Sequence, residues 1–360
     1  MIDSEWLERL RPLGLTPTEI EDLRSLPPQA EGARLMRVAE VQRETLSLHD
    51  GCAEHVARPL PALRRVLSGA GDALAVGDWV LAHRNALGEW WAHERLPPRN
   101  QLARRLHDGR DKVTRVVIVS NVDLALLVMG LDQDFSLRRL ERYVALVRMA
   151  GVRPVAVLTK ADLCDRVDER LAQVQALLAA DAAVVAVDAT SETALQQLRP
   201  WLQPGQTLVL LGSSGAGKST LTNTLAGSEV ALTGASRAGD GRGRHTTTSR
   251  SLHGTAWGAC IIDTPGLRTL RLDGDAAELG AAFADIAELA PACRFRDCSH
   301  EAEPGCAVRG AVSAERLKNF NKLLREASRD SLSALERKAQ TQQWKVRGRQ
   351  ARQRMADKRG

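Results

Sequence analysis

The run TLVLLGSSGAGKS, residues 207–219, restricts the possible folds more than any other part of the sequence. An unbroken apolar stretch leads into Gly212-Ser213-Ser214-Gly215-Ala216-Gly217-Lys218-Ser219, which fits G-x-x-x-x-G-K-[ST]. TLTNTLAG follows and reads as a helix. A strand, a glycine-rich turn and a helix in that order belong to a parallel sheet covered by helices. The glycines let backbone N–H groups curl round a phosphate, and the helix adds its positive N-terminal end. Lys218 is placed to reach the β- and γ-phosphates. Ser219 is placed to hold Mg²⁺, with Thr220 next to it.

Five further apolar runs share this texture: VTRVVIVS, LALLVMG, VRPVAVLT, AAVVAVDA and ACIIDT. Helical segments separate several of them. Residues 114–270 therefore read as one doubly wound α/β domain. ACIIDT runs into Asp263-Thr264-Pro265-Gly266. An acid at that strand end can hold Mg²⁺ through water, and the Gly266 amide can sense a γ-phosphate. Between the two motifs lies GASRAGDGRGRHTTTSR, residues 234–250. One of Thr246, Thr247 and Thr248 is expected to ligate Mg²⁺, with Thr247 the chosen candidate, so this segment reads as a switch loop. Leu267 stands where many GTPases place a water-orienting Gln, so slow intrinsic turnover is expected. His245 is the candidate for the missing group, an RNA contact being the other reading.

Thr159-Lys160-Ala161-Asp162 ends the run PVAVL and resembles the N-K-x-D element of GTPases. Asp162 would accept hydrogen bonds from the ring N–H and exocyclic amine of guanine, a pair that adenine lacks. The Lys160 stem would lie against the base. Thr159 replaces the usual Asn, and Asp188-Ala189 stands where a short Ser-Ala loop is expected. The order of the motifs is unusual. Base recognition at 159 precedes the phosphate loop at 212, which is a circular permutation of the usual order.

The other segments are simpler. Residues 1–32 read as a short helix and linker, with Pro at 12, 17, 27 and 28. Residues 33–100 alternate short strands and turns, as in a small β-barrel. Trp90 and Trp91 are adjacent there, so one can fill the barrel while the other stacks on a base or packs on the next domain. Residues 101–113 form a basic linker. Cys293-x4-Cys298-x-His300-x5-Cys306 supplies three thiolates and an imidazole within residues 271–330, a four-ligand set for one structural Zn²⁺. Cys52, Cys164 and Cys260 read as core or surface thiols. Residues 331–360 are a basic helix or tail. Of the chain's net +6, residues 337–360 contribute +8, from nine Lys or Arg and one Asp, leaving −2 for the rest. A polyanion is the expected partner, a solubility tail the plainer alternative. No apolar stretch approaches ~18 residues and no signal-like run opens the chain, so a cytoplasmic protein with reduced thiols is expected.

Taken in order, VGDWV, LPPRNQLARR, TKAD, GSSGAGKST, GRHTTT, DTPG and the Cys/His cluster resemble the ribosome small subunit-dependent GTPase A family over residues 33–325. The resemblance implies an N-terminal OB-fold, a central permuted GTPase and a C-terminal zinc domain. It also implies GTP and GDP with Mg²⁺ as ligands, hydrolysis stimulated by the small ribosomal subunit, and a role in late subunit assembly. The small subunit and its rRNA are the expected partners of a monomer. Two other readings stand beside it. One is a GTP-switched factor for another RNA or the large subunit. The other is a scaffold with a nucleotide that is never hydrolysed.

Overall fold

The computed structural model describes residues 4–27, 32–107, 113–178, 182–231, 250–264, 279–280 and 282–331. The chain divides into two compact units, residues 1–104 with 115–270, and residues 105–114 with 271–360.

The first unit opens with α1 (Ser4–Leu10), a 3-10 turn (Arg11–Leu13) and α2 (Pro17–Ser25). Glu19 accepts the Thr16 N–H at 3.0 Å and Pro17 takes the first helical position, which together start α2. Leu7, Leu10, Leu13, Leu15 and Leu23 are buried, so much of the expected linker is packed structure.

Next come β1 (Arg34–Val41), β2 (Leu46–His49), β3 (Glu54–Pro59), α3 (Pro61–Gly69), β4 (Trp79–Arg84) and β5 (Trp90–Arg95). Strand β1 pairs antiparallel with β2 and β4, β2 with β3, and β4 with β5, while β3 and β5 run parallel. The five strands close on themselves. Met36, Val38, Leu48, Val80, Trp90 and Ala92 fill the interior. Trp90 is the indole that fills the barrel, and Trp91 is half-buried. The run of short strands gave no sign of α3. Pro61 starts this helix, and Leu63 and Leu67, four residues apart, pin it to the barrel core. β6 (Gln101–His107) and β7 (Val113–Ser120) form a two-stranded ribbon where a basic linker was expected.

The doubly wound part follows as β8 (Leu124–Gly130), α4 (Leu137–Met149), β9 (Arg153–Thr159), α5 (Val167–Leu178), β10 (Ala183–Ala186), α6 (Glu192–Leu198), β11 (Thr207–Gly212), α7 (Lys218–Ala226), β12 (Ser251–Gly254) and β13 (Cys260–Asp263). The strand order is β10-β9-β8-β11-β13-β12, parallel except for β12. The chain steps outward from β8 to β10 and returns on the other side of β8 as β11. The carboxyl ends of β8 and β11 therefore flank a topological switch point, where open α/β sheets bind ligands. The Glu40–Ser251 pair joins β1 of the barrel to β12, making one continuous sheet.

Arg37 fastens the barrel to this sheet. It is fully buried and donates to Thr207 Oγ1 at 2.8 Å, to the Asn121 carbonyl at 3.0 Å, to the Gly77 carbonyl at 3.3 Å and to the Leu13 carbonyl. Its guanidinium also lies over the Trp79 ring, 5.3 Å from the centroid.

In the second unit, Ala284–Leu289 and Ala314–Ser331 are helices. Phe283 and Phe320 meet edge to face at 5.1 Å, and Arg316 grips Asp285 through two bonds of 2.7 and 2.8 Å. Leu317, Phe320 and Leu323 are buried at helical spacing, as their periodicity indicates.

Asp78, in the turn before β4, yields a pH prediction. Burial pushes its carboxyl up to about 6, against the pull of Arg95 at 3.7 Å and of the Ala75 N–H. An unfolded Asp titrates near ~4. The resulting stabilisation is complete below ~4 and is lost as pH rises through about 6. Asp78→Asn should therefore gain about 2–3 kcal/mol on the parent between pH 4 and pH 7.5. Urea denaturation at both pH values measures this. A gap that stays constant would mean that Asp78 ionises without penalty.

Candidate nucleotide site and candidate metal centre

The phosphate loop leaves β11 at Gly212. A Cβ there would lie 2.2 Å from the Val128 carbonyl of β8, so only glycine allows the two strands to pair this closely. Gly217 caps α7 with φ of 90°, a left-handed turn that aims the helix N-terminus back at the loop. Lys218 is buried, and its Nζ donates to the Gly212 carbonyl at 2.9 Å and the Ser213 carbonyl at 2.6 Å. The ammonium is thus folded over the loop that it would share with a phosphate.

The TKAD segment leaves β9 beside it. Thr159 is buried, and its hydroxyl donates to the Ala216 carbonyl inside the phosphate loop at 2.6 Å. The Thr that replaces Asn therefore does reach across to the phosphate loop. Lys160 has φ of 62° and its Nζ donates to Asp132 Oδ2 at 2.5 Å. Ala161 and Asp162 begin a short 3-10 turn, with Asp162 exposed. The Ala161 N–H bonds the Val187 carbonyl at 3.3 Å, which brings the segment after β10 alongside. There Asp188 accepts from Thr190 N at 2.9 Å, and α7 reaches the Ala189 carbonyl through Thr224 at 2.7 Å.

Asp263 ends β13, buried, next to β11. Thr264 Oγ1 donates to the Leu210 carbonyl at 2.5 Å and pins the two strand ends together. A hydroxyl from Ser219 and a buried carboxylate from Asp263 are hard oxygen donors of the kind Mg²⁺ takes. His245, Thr247 and Gly266 lie outside the described residues, as does the basic tail.

Sequence reasoning missed Asp132 and Asp134, in the loop after β8. Asp134 accepts the Ser213 hydroxyl at 2.5 and 2.6 Å, as well as an Arg139 N–H at 2.5 Å. The only signal was their position: two acids directly after a buried apolar run, at a strand's carboxyl end.

The second unit holds the Cys/His cluster. The ligand atoms of Cys293, Cys298, His300 and Cys306 all lie within 4.8 Å of one another. Nδ1 of His300 is 3.6 Å from Cys293 Sγ and 3.4 Å from Cys306 Sγ. The N–H groups of Ala307 and Arg309 point at two of the sulfurs, each at 3.4 Å. Desolvation and then the neighbouring thiols push Cys298 up to about 11. Backbone N–H groups and His300 pull Cys306 down to about 6 against its own desolvation. Three sulfurs this close need a cation before all can be thiolates, and three sulfurs with one nitrogen suit tetrahedral Zn²⁺.

Comparison with known proteins places this architecture. A model of the RsgA GTPase family matches residues 95–273. The small ribosomal subunit biogenesis GTPase RsgA of Xylella fastidiosa strain M23 is 47% identical over 269 residues, which cover 73% of this chain and 79% of that protein. The chain belongs to the RsgA GTPase family. The protein of the same name from Xanthomonas campestris pv. campestris strain B100 is 43% identical over 297 residues, 81% of this chain and 80% of that one. YjeQ from Thermotoga maritima has a similar solved structure, with a TM-score of 0.60 and 23% identity, covering 82% of this chain and 98% of its own. YloQ, described as a circularly permuted GTPase, aligns with a TM-score of 0.56 and 23% identity over 84% of this chain and 98% of its own. The permuted order expected from the motifs is therefore the order of the fold. As a member of this family the chain is a GTPase that binds guanine nucleotides.

The metal centre yields a prediction. Protein purified without chelator should carry about one zinc per chain, as a four-ligand structural site implies. Cys298→Ser should lose it and lower the thermal midpoint of the second unit, while GDP binding stays within about two-fold. Elemental analysis that finds no zinc would contradict the assignment.

Proposed function

We propose that this GTPase binds the small ribosomal subunit and its rRNA in late assembly. Hydrolysis of GTP to GDP and phosphate is stimulated by the subunit and coupled to release. It works as a monomer in the cytoplasm, with GTP or GDP, Mg²⁺ and one structural Zn²⁺. One observation carries the nucleotide part: TKAD and the phosphate loop, 50 residues apart in sequence, are hydrogen-bonded to each other through Thr159 and Ala216. The names of the relatives carry the ribosomal part. Among the described residues no helix is long and apolar enough to cross a membrane.

The chemistry we propose assigns each residue a role. Asp162, exposed at the end of β9, accepts the two N–H groups of guanine. Amides of residues 212–219 and the α7 N-terminus take the phosphates. Lys218 exchanges the carbonyls of Gly212 and Ser213 for β- and γ-phosphate oxygens. Ser219 and Asp263 would hold Mg²⁺, which neutralises charge on the phosphates when bound. Water then attacks the γ-phosphorus, GDP leaves, and the proton passes to the released phosphate. His245 is our candidate to orient that water.

The test is GTP turnover by the protein alone, with purified small subunits and with large subunits. Turnover should rise only with small subunits, and Lys218→Ala should lower the stimulated rate by roughly 100-fold or more. Asp162→Asn should weaken GDP on the order of 100-fold and improve xanthosine diphosphate, because an amide donates where guanine also donates. Stimulation by large subunits instead would transfer the protein to another particle. Parental turnover in Lys218→Ala would place the reaction elsewhere.

A further inference from the structure

The loop after β8, residues 131–136, belongs to neither nucleotide motif yet touches both. It emerges at the switch point, because β8 lies between β9 and β11 in the sheet. The Leu131 N–H is bonded to the Thr159 carbonyl at 2.9 Å, so the loop starts in register with TKAD. Asp132 then accepts Lys160 Nζ at 2.5 Å, and this bond to Lys160 holds its carboxyl below the usual range. Asp134 accepts the Ser213 hydroxyl of the phosphate loop at 2.5 and 2.6 Å. The loop is itself braced. Asp132 Oδ1 accepts the Asp134 N–H at 3.0 Å, and the Phe135 N–H returns to the Asp132 carbonyl at 3.1 Å. Phe135 lies under the Arg170 guanidinium, 4.2 Å from the ring centroid. Gly130 leaves space for the arrangement, since a Cβ there would sit 2.6 Å from Asp132 Oδ1 and 3.5 Å from Lys160 Cδ.

We propose that residues 131–136 form a third nucleotide-binding element, in which Asp132 positions Lys160 and Asp134 positions Ser213. The proposal rests on the reading that the Lys160 stem lies against the purine. Lys160 has a left-handed backbone, a conformation that disfavours a non-glycine residue. Its side chain is long and only partly covered, so without a partner the ammonium would sample many rotamers. Asp132 removes that freedom and lays the four-carbon stem along the base. Asp134 does the same for the first turn of the phosphate loop, fixing Ser213 while Thr159 fixes Ala216. The base-side and phosphate-side contacts are thus set from one short rigid loop.

A lysine stem has no preference among purine edges, whereas Asp162 reads the edge. Asp132→Asn should therefore weaken GDP and inosine diphosphate by the same factor, about three- to ten-fold. It should raise KM for GTP with kcat unchanged, and Asp132→Glu should recover part of the loss. In a Lys160→Ala background Asp132→Asn should add nothing. Ser213→Ala and Asp134→Asn should be non-additive in the same way. Fluorescent GDP and inosine diphosphate measure the affinities, and the thermal midpoint of each variant reports on folding. Parental affinity in Asp132→Asn, or full additivity with Lys160→Ala, would overturn the proposal while leaving the GTPase reading intact. Parental affinity in Lys160→Ala would instead remove the base contact on which both readings rest.

Discussion

The hydrogen bond from Thr159 Oγ1 to the Ala216 carbonyl, 2.6 Å long and fully buried at Thr159, fixes the spacing between the TKAD turn and the phosphate loop. Strand β8 separates β9 from β11, so their carboxyl ends are not neighbours by main-chain pairing. A nucleotide has a set distance between base and phosphates. Two loops that recognise its two ends must hold that distance before the ligand arrives, or ordering them costs affinity. Here a side chain from the end of β9 closes the gap. Gly217 can approach because its Cβ position would stand 3.3 Å from that same hydroxyl.

The rest of the first unit carries this pair on a rigid frame. Arg37 binds four acceptors that come from the N-terminal turn, the barrel, the turn between β7 and β8, and β11. Thr207, one of them, begins the strand that ends in the phosphate loop. A buried guanidinium is tolerable only when its donors are met, and burial does lower its proton affinity. The barrel strand β1 also pairs with β12, which follows the expected switch segment. The barrel and β12 are therefore joined directly by main-chain pairing.

How much of this was legible follows from what each residue type answers to. Gly212, Gly217, Lys218 and Asp162 stand in short motifs that the chemistry of phosphate and guanine would fix, so they could be picked out as candidates from spacing alone. The four zinc-type ligands were legible for the same reason. Asp132 and Asp134 were not, because two acids in a loop look like any solvated turn until the strand order places them between the two motifs. Arg37 sits in RLMRVAEV, where a charged residue reads as outward-facing. Its burial depends on residues 13, 77, 121 and 207 converging, which no local pattern encodes. α3 was hidden because its nine residues begin at a proline and follow a strand without a polar cap. Thr159 stands in the sequence only as a replacement for the usual Asn, and the structure shows its hydroxyl on the phosphate loop.

The GDP dissociation rate of Thr159→Val isolates the buried bond between the two loops. Valine keeps the shape and removes the hydroxyl, leaving a buried carbonyl without its donor, which costs about 1–3 kcal/mol. The rate should rise roughly ten-fold, with a similar loss for a non-hydrolysable GTP analogue and an unchanged preference for guanine over xanthine. A parental rate in a folded Thr159→Val protein would show that the base and phosphate loops keep their spacing without this bond.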